Sequence, residues 1–268
     1  MKEEVKLVKK VKRFLKRLGC PRWLHHFGPK KYEFSVHLVA LLLKEVFRLS
    51  FRRAAHLLGM FGKIPSYSAL CKMRKRIPLW LWEKFLQLTA PMQSTLIAVD
   101  ATGMSRSNPS WHFIKRIDRK KPVKCSLKLS VFFDTREKKF CALRLRAKPR
   151  HDTKDVEYLF KRYGNMKTLL GDTAYDAEWI HEMMYLHHIR TVIKPRKNVH
   201  RGHYRRKQME QYCERTYHRR SMVESGFGSL KRKYGSYLLA RALCSQRAEV
   251  YCRAIAHNLH LRSQETFN

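Results

Sequence analysis

The sequence predicts an α/β protein, a mixed β-sheet flanked by helices and preceded by a small all-α region of helix-turn-helix shape. Three observations carry that expectation. Residues 1 to about 90 repeat their apolar positions at helical spacing. From residue 96 short apolar strands begin, three of them able to run as a meander before helix and strand alternate. Between residues 50 and 77 a helix, a glycine turn and a strongly basic second helix follow one another. The expected division is residues 1–92 for the helical region and 93–268 for the sheet-bearing domain.

The elements follow in order. "EFSVHLVALLLKEVF" (33–47) is an apolar helix pattern. Ser50 is placed to cap "FRRAAHLLG", which Gly59 can stop. Ser66 or Ser68 opens "YSALCKMRKRI", ending before Pro78 and carrying Lys72, Arg74, Lys75 and Arg76. A second helix so charged is the kind that enters a DNA major groove. "LIAVD" (96–100) is a buried strand ending on an acid, and "CSLKLSVFFDT" and "KFCALRLRAKP" form a hairpin whose turn takes in Asp134. "HDTKDVEYLFKRY" is a capped helix beside a strand end, where His151 and Asp152 either cap it or line the site. "MKTLLGD" is a strand ending on Asp172, "DAEWIHEMMYLHH" a helix capped by Asp176, and "IRTVIKP" another strand. One long helix is expected over much of 205–240.

Composition bounds the partner. The chain has 268 residues, 44% of them hydrophobic, enough for a real core. Its 58 Lys+Arg against 21 Asp+Glu give a formal charge of +37. Self-repulsion of that size is offset when a polyanion binds, so nucleic acid is the expected partner. No apolar run is long enough to span a bilayer, "LVALLL" (38–43) being the longest, and the N-terminus lacks a signal-peptide core. No membrane role is expected; the expected location is cytoplasmic and nucleoid-associated. The seven scattered cysteines form no C-x-x-C pair, which argues for reduced thiols and against a disulfide framework or structural zinc site.

Three acids stand out. Asp100 and Asp172 each follow an apolar strand, and in open α/β sheets ligands bind beyond the carboxyl ends of strands. Glu224 is the lone acid of "YHRRSMVESGFGSLK". On one helix Tyr217, Arg220, Glu224 and Lys231 fall within an arc of about 60°. Val223, Phe227, Leu230 and Tyr234 form the adjoining apolar stripe, and Gly228 lies near Glu224, where it would admit a bulky ligand.

The spacing Tyr217-x2-Arg220-x3-Glu224-x6-Lys231, with the two strand-end aspartates, resembles the DDE transposases of prokaryotic insertion sequences and their Y-x2-R-x3-E-x6-K signature. The resemblance covers most of the chain. It implies a ribonuclease-H-like core in residues 93–268, with 1–92 binding DNA. It implies that Asp100, Asp172 and Glu224 are catalytic and hold two Mg²⁺ ions, with Mn²⁺ a possible substitute, and that Tyr217, Arg220 and Lys231 contact phosphates near the transposon end. The activity implied is cleavage at the element's terminal repeats and transfer of 3′-hydroxyl ends to target DNA. The partners would be double-stranded DNA and a second copy of the chain in a paired-end dimer. Some relatives carry a large β-rich insertion between the second aspartate and the glutamate; here only "RKNVHRGHYRRK" separates the last strand from the long helix, so a hairpin step depending on that insertion is not expected.

Asp176 rivals Asp172 less well, lying past the strand end as a cap. Trp111 and His112 could stack on an unpaired base or anchor their loop. Two other readings fit the residues less fully: a ribonuclease-H-like nuclease without strand transfer, and a non-catalytic DNA-binding protein, which the presence of all three acids disfavours.

Overall fold

The computed structural model describes residues 2–23, 31–106, 126–148, 150–196 and 201–264. Helices α1 (Lys2–Arg17), α2 (Phe34–Val46), α3 (Phe51–Gly59), α4 (Tyr67–Arg76) and α5 (Leu79–Thr89) precede the sheet. Capping sets two of their starts: Ser50 Oγ accepts the Arg53 N–H at 3.2 Å and Ser66 Oγ the Ala69 N–H at 3.3 Å.

The strands are β1 (Ser94–Arg106), β2 (Ser126–Asp134), β3 (Lys139–Arg146), β4 (Met166–Gly171), β5 (Arg190–Ile193) and β6 (Tyr237–Leu238). They lie in the order β3-β2-β1-β4-β5, with the short β6 beside the end of β1. The first three form an antiparallel meander, while β4 and β5 run parallel to β1. This is the ribonuclease-H-like arrangement that the resemblance implies. Asp134 closes β2 and accepts the N–H groups of Arg136 and Glu137, which fixes the turn into β3.

The remaining helices are α6 (Val156–Arg162), α7 (Glu178–Leu186), α8 (His203–Met209), α9 (Glu214–Tyr217), α10 (Ser221–Tyr234) and α11 (Leu243–Gln264). Strand alternation sorts the core into two layers. Ile97, Val99, Phe132 and Ala142 face α6 and α7. Ala98, Val131, Phe133 and Leu143 face α10 and α11, and the same apolar cluster runs on through Leu38, Leu70 and Trp82 of the early helices. Both outer strands end in an amide clasp. Asn258 on α11 accepts the Phe140 N–H and donates to its carbonyl, at 2.9 and 2.8 Å. Gln208 on α8 does the same for β5, accepting from Thr191 and donating to the Ile189 carbonyl. Backbone groups that would otherwise invite another strand are thereby satisfied.

A buried charge network ties the early helices to α11. Lys44 pairs with Glu45, and Arg253 lies 3.5 Å from Glu45 and 2.6 Å from Glu249. Glu249 also accepts the N–H groups of Leu239 and Ala240, and Arg74 approaches it at 3.9 Å.

Four features differ from the sequence expectation. Strand β1 continues six residues past Asp100, because β2 and then β6 keep its backbone paired. The single helix expected over 205–240 is broken. A straight helix of that length would run about 54 Å, more than a small domain spans, whereas α8 is pinned to β5 and α10 to β1. Asp176 does not cap α7, whose N-cap is Ala177. Its carboxylate is buried and taken by Arg205 at 2.7 Å, His181 at 3.2 Å and the Arg196 N–H at 2.8 Å. Finally, α11 was not foreseen; buried over most of its length, it shows no single apolar stripe.

The glycine that the fold requires on α10 is Gly226. A β-carbon there would stand 2.6 Å from the Phe133 ring, whereas one at Gly228 would meet nothing within 4 Å. Gly226→Ala should therefore lower stability by about 1–3 kcal/mol through overpacking, less the helix-propensity gain. Gly228→Ala should raise it by up to about 1 kcal/mol. Thermal melts of the two variants check the opposite signs.

Candidate active site

Strand register brings the two aspartates together. Ala98 on β1 pairs with Leu170 on the parallel β4, so Asp100 and Asp172, two residues further on, stand level on neighbouring strands. Adjacent strands lie about 4.8 Å apart, and β4 has just ended, so this part of β1 opens to a cleft. The Asp172 carboxylate accepts the Ala174 N–H at 2.9 Å and so caps the turn that leads the chain away.

Glu224 reaches the cleft from the other side, in the first turn of α10. The apolar stripe read from the sequence does seat this helix: Val223, Phe227, Leu230 and Tyr234 are all buried in the layer below Ala98 and Phe133. The signature residues do not share one regular helix, since Tyr217 ends α9 and Arg220 ends a 3₁₀ turn. Even so, Arg220 joins the acids. Its Nη2 lies 2.8 Å from Glu224 Oε1 and its Nη1 lies 3.4 Å from Asp100 Oδ2. Lys231 donates to Thr102 Oγ1 at 2.7 Å, two residues along β1 from Asp100 and on the same face. Tyr217 is half-buried, its ring centroid 6.0 Å from that of Tyr212.

The electrostatics follow from crowding. Burial pushes the Asp100 carboxyl above its ordinary value, against the pull of the Ala101 N–H and the Arg220 charge; Asp172 and Glu224 push it further up. Burial alone would lower the Arg220 guanidinium, but Asp100 and Glu224 outweigh it and hold the group above its usual value. Desolvation lowers Lys231.

As the side chains stand, no group of three or more His, Cys, Asp or Glu among the described residues converges to hold a metal ion. The Arg220 guanidinium contacts Asp100 on one side and Glu224 on the other. The donor set nonetheless suits a hard divalent cation, being all carboxylate oxygen and already the seat of a positive charge. Tyr175 adds to that fit. Its hydroxyl is buried without a hydrogen-bond partner and within electrostatic reach of Asp100, Asp172, Asp152 and Asp155. Such an orphan donor calls for an ordered water. Sequence reasoning missed Tyr175, Thr102 and Gly226; the alternation of β1 was a signal for Thr102 alone.

The other predicted residues divide. Lys72, Lys75 and Arg76 are exposed on α4. Arg74 is not with them: it is 8% exposed, its guanidinium 4.7 Å from the Phe51 ring centroid and directed to Glu249. It turns inward because position 74 lies one turn after the buried Leu70, on the core side of α4. His151 caps the 3₁₀ turn that opens at Asp152, and Asp152 pairs with Lys128. Trp111 and His112 lie outside the described residues.

The raised Asp100 has a consequence for stability. A carboxyl raised on folding makes the native state bear a cost above its folded pKa, a cost that vanishes below the ordinary carboxylate value, where it is protonated in both states. Asp100→Asn should therefore raise the melting temperature of the DNA-free protein at pH 7, with the gain shrinking as pH falls through the carboxylate range. Melts of both proteins from pH 7 downward check it.

The sequence profile of the family described as the transposase DDE domain matches residues 91–259. Among solved structures the chain is similar to the Mos1 strand transfer complex, at 14% identity over 96% of this chain and 84% of that one, with a TM-score of 0.32. It is similar also to the Mos1 paired-end complex with left transposon end, at 11% identity over 81% and 87% and a TM-score of 0.25. A pre-cleavage Mos1 transpososome aligns at 11% identity over 94% and 85%, with a TM-score of 0.23. No curated protein matches the sequence significantly. The family match takes in β1 to α11 and with them Asp100, Asp172, Glu224 and their basic neighbours, and by it this chain belongs to the DDE transposase-domain family.

Proposed function

We propose that the chain cuts DNA at the ends of its own mobile element and transfers the resulting 3′-hydroxyl ends to target DNA. The observation that carries this reading is the register that sets Asp100 beside Asp172, with Glu224 facing them from α10 and linked to Asp100 through Arg220. Three acids in one cleft of a chain bearing +37 have a reason to be there if they serve the phosphodiester that the rest of the surface attracts.

Asp100, Asp172 and Glu224 would hold two divalent ions, Mg²⁺ by the hardness of the donors and Mn²⁺ as a substitute. Such a pair, when bound, supplies activation of a water or 3′-hydroxyl and stabilisation of the leaving oxygen in an in-line displacement. The remaining work falls to the chain's own side chains. Arg220 can grip a phosphate with two N–H groups, and Lys231, which has no carboxylate partner among the described residues, acts as a point charge beside it. Tyr217, just before Arg220, completes the phosphate-facing group. The Tyr175 hydroxyl is available to orient a water under the acids.

Lys72, Lys75 and Arg76 form the outward edge of α4, the second helix of the helix-turn-helix-like pair, and would take the terminal repeat. Two ends must be held together for transfer, so the working form is taken to be a dimer on DNA. Among the described residues no helix is long and apolar enough to cross a membrane.

Labelled duplex carrying the element ends tests the reading, incubated with Mg²⁺ or Mn²⁺ beside Asp100→Ala, Asp172→Ala and Glu224→Ala. Each substitution should reduce cleavage by at least about a hundredfold and leave duplex binding in place. End-selective binding by a wild-type chain that never cuts would instead make it a DNA-binding protein, and cutting without joining would make it a nuclease. Lys72→Ala, Lys75→Ala and Arg76→Ala should each weaken duplex binding and flatten its salt dependence by about 0.9 in log–log slope. Arg74→Ala should instead lower the melting temperature, since it leaves Glu249 buried with one cation fewer.

A further inference from the structure

Arg220 holds a position that its place in the helical signature does not explain. An arginine four residues before a glutamate can pair with it on any helix surface, and Arg220 does so with Glu224. Its second contact, to Asp100, crosses from the helical segment to the middle of the sheet and joins residues 120 apart in sequence. Both Asp100 oxygens are thereby committed: Oδ1 accepts the Ala101 N–H at 2.8 Å and Oδ2 faces the guanidinium. The contact is also partly withdrawn from water, the side chains of Arg220 and Asp100 being 20% and 18% exposed. Lys231 behaves differently. It rests on a neutral hydroxyl and leaves the carboxylates alone.

We propose that Arg220 is a built-in counter-cation: in the DNA-free chain its guanidinium bridges Asp100 and Glu224, competes with the divalent ion for their oxygens, and is drawn away when a DNA phosphate offers it another partner. This rests on the reading of Asp100, Asp172 and Glu224 as metal ligands and adds an order of events to it. The oxygens that Arg220 occupies are the ones a divalent ion needs, so the two cations compete for them. A phosphate at the start of α10 removes the competitor, since the same planar fork that spans two carboxylates fits two phosphate oxygens. Linkage then requires reciprocity: whatever DNA does to divalent-ion affinity, the ion does to DNA affinity by the same factor. A chain of this charge binds duplex of any sequence. An arginine held between the acids shifts loading toward protein already on DNA.

The test needs no catalysis. Mn²⁺ binding is measured by the loss of the free-ion electron spin resonance signal, for wild type and Arg220→Gln without DNA. Duplex affinity of wild type is measured in parallel with and without Ca²⁺. Arg220→Gln should bind Mn²⁺ on the order of tenfold more tightly than wild type, and Ca²⁺ should tighten wild-type duplex binding by a similar factor. Arg220→Lys, whose single ammonium cannot span both acids, should lie between the two; it also guards against misfolding of the glutamine variant, as do melting curves. Equal Mn²⁺ affinity in folded wild type and variants would overturn the counter-cation while leaving the metal site standing, and so would wild-type duplex binding indifferent to Ca²⁺. No Mn²⁺ bound at the acids by any of the proteins would overturn both the counter-cation and the three-acid metal reading beneath it.

Discussion

The close approach of α10 to the sheet is the constraint on which the site depends. Strand register alone sets Asp100 beside Asp172, but the third acid comes from a helix, and it reaches them only because Gly226 lets the helix backbone settle on the Phe133 ring. That approach gathers three carboxylates around Arg220, and Asp100, the more buried of the bridged pair, bears a cost that shows in its raised carboxyl. Arg220 offsets part of the cost by bridging two of them. Packing therefore creates the electrostatic problem, and a side chain from the same helical segment answers it. Acids and neighbouring cations here form one unit, in which Arg220 partly offsets the charge of three carboxylates and which, on the proposed function, DNA would rearrange.

A second set of charges holds the rest of the molecule around that unit. Lys44, Glu45, Arg74, Glu249 and Arg253 are all nearly inaccessible to water and connect α2 and α4 to α11. Buried ion pairs add little net stability over apolar packing, yet breaking one leaves an uncompensated charge and is costly. Their value here is positional. Glu249 and Arg253 also bind the backbone at Leu239, Ala240 and Gly235, the segment that leaves α10. The basic helix α4 and the acid-bearing helix α10 are thus fastened to the same pair of side chains on α11. If, as proposed, α4 takes the terminal repeat and α10 carries a catalytic acid, the two need a fixed separation, and this network supplies one.

Much of this was legible in the sequence, for identifiable reasons. Apolar runs located β2, β3 and β4 to within about three residues, and capping chemistry marked two helix starts, at Ser50 and at Ser66, the first of the two serines considered there. The stripe of Val223, Phe227, Leu230 and Tyr234 correctly gave the face that α10 buries. What was lost depended on tertiary partners. Asp100 looked like a strand terminus because Ala, Thr and Gly follow it, whereas β2 and then β6, the latter more than a hundred residues away in sequence, keep the strand going. Arg74 looked like one of four surface cations until Phe51 and Glu249 claimed it. Helix α11 carries Glu249, Arg253, His257 and Asn258 in its interior, so its polarity concealed its burial. The bridge from Arg220 to Asp100 could not be read from spacing at all, because spacing describes one helix and this contact joins two elements.

The most direct test is anomalous diffraction from crystals of the full chain bound to a duplex carrying the element end, grown with Mn²⁺. The account predicts manganese peaks within coordination distance of oxygens of Asp100, Asp172 and Glu224, with the Arg220 guanidinium turned away from Asp100 and onto a phosphate. Bound duplex with no manganese at these acids, and Arg220 still bridging Asp100 and Glu224, would contradict it.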